Sequence, residues 1–183
     1  MSGSPANWKT NEDYVETAAR GGSIRTRGKW ADFQLHLEWA TPNPAHGDGQ
    51  GRGNSGILIN NMYEVQVLDS YQAKTYPDGQ AGAIYGQQPP LVNASKAPGE
   101  WQSFDITFRA PRFDAPSSDG SRKKTANAVF VKVLHNGKVI HENVECTGPT
   151  RGAKFPSEAP TCPILLQGDH GPVAYRNFKL TPQ

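Results

Sequence analysis

The sequence of 183 residues predicts an all-β sandwich of two antiparallel sheets, of the jelly-roll kind. Three observations carry that expectation. Apolar and polar residues alternate in short runs, the period of a strand with one face buried and one wet. Glycine and proline, 19 and 15 residues, are scattered between those runs as punctuation. No segment shows a helical period of useful length, and there are no internal repeats.

Taken in order, residues 6–19 come nearest to a helix, yet Trp8 and Tyr14-Val15-Glu16 fit short strands better. Residues 32–39 (Asp-Phe-Gln-Leu-His-Leu-Glu-Trp) alternate without a fault. Gly56-Ile57-Leu58-Ile59 is a short continuous apolar run, suited to a central strand buried on both faces, and a strand from Tyr63 follows after a tight turn. Residues 102–108 alternate again, with Phe104, Ile106 and Phe108 inward. Residues 128–134 run into His135-Asn136-Gly137-Lys138 and then Val139-Ile140. Asn-Gly is a strong hairpin signal, because both residues tolerate the positive φ of a type I′ turn. Pro163-Ile164-Leu165-Leu166 repeats the continuous apolar pattern, and residues 173–180 form the last strand. Two long loops, residues 41–53 and 71–98, are of a length that in compact domains is usually functional or disordered.

The length suits one domain over residues 1–183. A net charge of +2 with no dense basic tract leaves nucleic acid little to hold. No run approaches the roughly eighteen apolar residues of a membrane span. The opening Met1-Ser2-Gly3-Ser4-Pro5 has neither a basic nor an apolar region of an export signal, which leaves a cytoplasmic protein or a mature, trimmed chain. Cys146 and Cys162 are the only cysteines. If their flanking segments pair, a disulfide would close the loop between them and contribute about 3 kcal/mol; two buried free thiols are the alternative. A zinc site would need further ligands at short spacing. The disulfide reading leans towards an oxidising compartment.

The densest polar constellation lies on Asn54-Ser55-Gly56 and Tyr63-Glu64-Val65-Gln66-Val67-Leu68-Asp69. Glu64 and Gln66 share one strand face, about 7 Å apart, while Tyr63, Val65 and Val67 turn to the core. A carboxylate beside an amide offers acceptors and donors at fixed separation, as a polyol requires; an ordinary solvated face is the bland alternative. Asp69 falls on the wrong side unless the strand bends or ends there. His170, in Gln167-Gly168-Asp169-His170-Gly171, stands at a strand end between glycines. Of the other histidines only His46, with Asp48, suggests a metal, and weakly. Tyr71, Tyr76 and Tyr85, with Trp101 just beyond, are candidates for stacking on sugar C–H faces, or simply anchors for their loop. No P-loop, dinucleotide fingerprint or Ser/His/Asp order is present.

These motifs, with Gly82-Ala83-Ile84-Tyr85-Gly86, Pro98-Gly99-Glu100-Trp101, Thr147-Gly148-Pro149 and Arg176-Asn177, occur in an order that resembles the 3-keto-disaccharide (3-keto-glycoside) hydrolase domain family from Trp8 to Leu180. The resemblance implies a concanavalin A-like sandwich, secreted or periplasmic residence, and a small carbohydrate ligand whose C3 hydroxyl has been oxidised to a ketone. It implies a missing N-terminal strand as well, since members usually begin with a further Phe-Asp-Gly-type segment. A C3 ketone acidifies the C2 proton, so cleavage needs a base, an acid for the leaving oxygen and donors for the enolate. Glu64 is the expected base and His170 the acid or shuttle. Asp69 would orient His170 or hold a divalent cation, the one cofactor that comes into view, while Asn54, Gln66 and Tyr85 bind hydroxyls. Two rivals share the fold: a non-catalytic carbohydrate-binding domain, and a laminarinase-type glycosidase. The latter should show Glu-x-Asp-x-x-Glu where this strand reads Glu64-Val65-Gln66-Val67-Leu68-Asp69.

Overall fold

A computed structural model describes residues 6–18, 20–153 and 157–183. The opening segment, where no export signal is legible, lies outside the described residues. Among the described residues thirteen strands form: β1 (Trp8–Thr10), β2 (Val15–Thr17), β3 (Ile24–Arg25), β4 (Phe33–Ala40), β5 (Asn54–Ile59), β6 (Tyr63–Leu68), β7 (Gln102–Arg109), β8 (Arg112–Phe113), β9 (Lys124–Ala126), β10 (Ala128–His135), β11 (Lys138–Cys146), β12 (Leu165–Leu166) and β13 (Ala174–Pro182). Seven of them form one sheet, ordered β1-β2-β13-β4-β7-β10-β11, and four form the other, β3-β12-β5-β6. A small β8-β9 ribbon stands apart, and every pairing is antiparallel. This is the jelly-roll sandwich that the alternation predicts. No described helix is long and apolar enough to cross a membrane.

The core lies between the sheets. Phe33, Leu35, Leu37 and Trp39 of β4 and Phe104, Ile106 and Phe108 of β7 meet Ile57, Ile59, Tyr63, Val65 and Val67 from the smaller sheet. Each is buried, and each such side chain removed from water contributes about 1.5–3 kcal/mol before the entropy of ordering it. A bulge in β10 lets both Phe130 and Val133 face this core, because Lys132 pairs with Thr107 directly after Phe130 pairs with Phe108, leaving Val131 as the extra residue. The β10–β11 turn is Asn136-Gly137, with φ of 52° and 76°, and the Asn136 side chain accepts the Ser103 N–H at 2.9 Å. One polar tie crosses the layers: the fully buried Tyr175 hydroxyl donates to Ser55 Oγ, which donates to the Gln167 carbonyl, each at 2.6 Å.

Cys146 and Cys162 do not form the expected disulfide; both are free thiols. They belong to opposite layers. Cys146 ends β11 of the larger sheet, whereas Cys162 bridges to Trp30 beside β3 and β12. Burial makes Cys146 part of the core and pushes its thiol up to about 12.

Candidate active site

The outer face of the four-stranded sheet carries the polar constellation. The β5–β6 register sets Gly56 opposite Gln66 and Leu58 opposite Glu64, so Glu64 and Gln66 look away from the core on neighbouring rows. Both are nonetheless buried, at 3% and 2% exposure. Residues 82–85 run along the free edge of β6, where Gln66 N–H donates to Ala83 O and Tyr85 N–H to Glu64 O, each at 3.0 Å. A second segment crosses the Glu64 row. Thr150 fixes it by accepting the Glu64 N–H on its hydroxyl at 3.1 Å and donating that hydroxyl to Met62 O at 3.0 Å.

Two glycines make room for the Glu64 carboxylate. A methyl group on Gly56 would stand 2.1 Å from Glu64 Oε1, and one on Gly152 would stand 2.0 Å from Glu64 Oε2. Neither glycine has a left-handed backbone, so close approach is the reason for the missing side chain at both. The carboxylate is flanked by backbone where any other residue would collide with it.

Gln66 joins a row of amides. Gln50 donates to Gly79 O at 2.8 Å and to Thr75 Oγ1 at 2.9 Å, which leaves its carbonyl oxygen facing Gln66, whose NH2 donates to it at 2.9 Å. Turned over, the Gln66 amide donates instead to Glu64 Oε1 and to the Ser55 carbonyl, each at 3.2 Å. Asn54 Nδ2 donates to Gln50 O at 2.7 Å, so residues 49–51 of the first long loop are tied to the sheet face. Sequence reasoning missed Gln50 because a loop residue has no period to place it.

Asp69 follows β6 directly, where the strand ends, and pairs with Arg52 at 2.7 Å with only 2% of its side chain exposed. Its other oxygen accepts the Tyr71 N–H at 3.2 Å. Asp69 therefore anchors the loop cation Arg52 and does not orient His170. His170 is exposed and shares a 2.9 Å contact with its neighbour Asp169. Its turn docks on the opening of β5 through Gly171 N–H to Asn54 O at 2.5 Å. Asn54 and Gln66 thus lie between the His170 turn and the Glu64 row. Among the described residues no group of three or more His, Cys, Asp or Glu stands together to hold a metal. With Asp69 committed to Arg52, the donor set does not fit the divalent cation considered above.

Tyr85 meets Tyr76, hydroxyl to hydroxyl at 2.6 Å, and the Arg151 guanidinium sits 5.7 and 5.8 Å from their ring centres. Partial burial and the Tyr85 hydroxyl push Tyr76 up to about 12. Trp101 is elsewhere. Arg176 stacks over its ring at 4.0 Å and Tyr14 meets its edge, by the larger sheet.

Fold and site together define a concanavalin A-like sandwich whose smaller sheet carries a loop-covered polar face. Residues 2–181 match the 3-keto-alpha-glucoside-1,2-lyase-like domain, and the chain belongs to that family. It is similar to a crystal structure from Parabacteroides distasonis ATCC 8503 that carries the provisional designation glycosyl hydrolase: TM-score 0.85, 38% identity, 97% of this chain and 75% of that one. Two further structures from the same organism, with the same designation, agree in fold. One has TM-score 0.70 at 15% identity over 99% of this chain and 85% of its own. The other has TM-score 0.63 at 22% identity over 96% and 90%. No curated protein matches the chain.

Proposed function

We propose that the chain cleaves the glycosidic bond of 3-keto-glycosides by elimination followed by hydration. A base takes the C2 proton, and the electron pair moves towards the C3 carbonyl as an enolate. Return of that pair forms the C1=C2 bond and expels the C1 oxygen, which receives a proton. Water then adds across the double bond, hydroxyl to C1 and proton to C2, and releases the free 3-keto sugar. Net, the bond is hydrolysed with no oxidant consumed.

One observation carries the reading: in a chain of this family, a buried carboxylate, Glu64, lies between two glycines and alongside an amide row. We assign Glu64 the C2 proton, Asn54, Gln66 and Tyr85 the sugar hydroxyls, and the exposed His170, with Asp169, proton delivery to the leaving oxygen. Asp69 holds Arg52 in place. An ordinary glycosidase would need two carboxylates roughly 5–9.5 Å apart across the bond, and the second candidate on this strand, Asp69, is spent on Arg52. Action outside the cytoplasm rests on the family resemblance alone, since the free thiols withdraw the argument from a disulfide.

Incubation with a 3-keto-glucoside and with its unoxidised parent tests this. Turnover of the keto sugar only is expected, and Glu64→Gln should lose about 10²–10⁴ in rate while still binding. Equal turnover by wild type and Glu64→Gln removes Glu64 from the mechanism. Tight binding of keto sugars with no turnover would favour the carbohydrate-binding domain.

A further inference from the structure

The same outer face ends, on its far side, in a cleft that the proposed reaction does not use. It encloses about 820 Å³ and is lined by Arg25, Arg27, Lys29, Asn61, Thr161 and Pro163 among others. The three cations are exposed, and among the described residues none has an ion-pair partner. The nearby Glu158 does not neutralise them: its carboxylate takes Lys124 at 2.6 Å and the Tyr63 hydroxyl. Asn61, in the β5–β6 turn, supplies a separate signal. It is 1% exposed, yet among the described residues neither its amide nitrogen nor its amide oxygen has a partner. Leaving such a group unmet costs its full desolvation, and Asn61 does so twice at the wall of a cationic cleft.

We infer that this cleft binds an acidic oligosaccharide, its carboxylates or sulfates on the three cations and its hydroxyls on the Asn61 amide. The anionic class follows from Arg25, Arg27 and Lys29. An amide that both donates and accepts suits the hydroxyls of a sugar; that the ligand is a sugar rests on the function proposed above. The cleft also lies in register with the catalytic row. Arg25 pairs with Leu165, Leu165 with Leu58, and Leu58 with Glu64. Three strand spacings separate the ends, about 14 Å, so the cleft is a second subsite on the face that carries Glu64.

Calorimetric titration of the full chain with tetragalacturonate and with neutral maltotetraose reads this out. Tetragalacturonate should bind more tightly, and raising the salt from low to physiological should weaken it. Arg25→Gln/Arg27→Gln should lose about tenfold or more in affinity. Asn61→Gly, which retains the positive φ of 52°, should weaken binding of the acidic sugar. Equal affinity for the two sugars, or an unchanged double variant, would overturn the inference. So would displacement by inorganic sulfate at matched charge, which would mean a diffuse ion atmosphere. Glu64→Gln should leave this binding intact, so a failure of the cleft and a failure of the proposed base are read separately.

Discussion

Glu38 and Glu64 both alternate onto the outer faces of their sheets and have different surroundings. Each alternates onto the outer face of a strand whose inner face is fully apolar: β4 reads Phe-Gln-Leu-His-Leu-Glu-Trp-Ala, and β6 reads Tyr-Glu-Val-Gln-Val-Leu. On the larger sheet Glu38 is partly open to water, pairs with Arg176 at 2.6 Å, and is held below the usual carboxylate range chiefly by that hydrogen bond. On the smaller sheet Glu64 is closed in by chain segments distant in sequence, Thr150 to Gly152 above all. Parity decides which side of a sheet a carboxylate takes. What covers that side decides whether the carboxylate meets water or is closed off from it.

The contrast is broken most strongly by paired substitutions. Glu64→Gln should lower turnover of a 3-keto-glucoside by about 10²–10⁴, whereas Glu38→Gln should leave the rate as it is. Comparable losses in both would mean that burial is irrelevant to the chemistry.

Next in size is a pH effect that belongs to the larger sheet alone. His135 is buried beneath Trp39 and Phe104, and its Nε2 lies 2.9 Å from Gln102 Oε1. That oxygen also accepts the Lys96 N–H, so Nε2 carries the proton and Nδ1 is bare and unpartnered. Desolvation lowers this histidine from 6.5 to about 4. The unfolded chain therefore takes up a proton near pH 6.5 that the folded chain refuses until about pH 4. Stability should be full above pH 6.5 and fall by about 3 kcal/mol on the way to pH 4. Urea titrations across that range would measure it, and His135→Gln should flatten the slope.

Gly56→Ala sharpens the comparison from the other side. Its methyl group meets Glu64 Oε1, and overpacking of this kind costs about 1–3 kcal/mol. Thermal unfolding should show that loss together with reduced turnover; a variant with native stability and native rate would mean that the carboxylate moves aside freely. The smallest expected effect concerns the thiols. Because Cys146 and Cys162 are free, reductant should leave the unfolding midpoint unchanged, and a clear drop would reveal a bond between them.

Much of this was legible in the sequence because strands advertise themselves by period two. The alternation at residues 32–39 and 102–108, the Asn-Gly hairpin, and the shared face of Glu64 and Gln66 all follow from local chemistry. What escaped depends on segments meeting across long separations. Neither Arg52 reaching Asp69 nor Gly152 lying on Glu64 leaves a periodic trace, since loops have none. The cysteine reading failed for a related reason: two residues that bound one loop need not share a layer, and Cys146 and Cys162 do not. Trp101 looked like a neighbour of Tyr76 and Tyr85 by sequence distance, but the chain crosses to the larger sheet before reaching it.

The two glycines beside Glu64 also set a limit on how this chain can change. Substitution at either position adds atoms against the carboxylate tip, so Glu64 must shift before either site can take a side chain. Shortening the carboxylate by one methylene, as in Glu64→Asp, would relieve the crowding and withdraw the oxygens from where the two backbones hold them. A lineage that still needed a carboxylate there would have to keep three positions together, 56, 64 and 152, although they lie on separate stretches of chain. One without that need would be free to fill the space, so a side chain at 56 or 152 in a relative would report that the carboxylate at 64 had moved or been replaced.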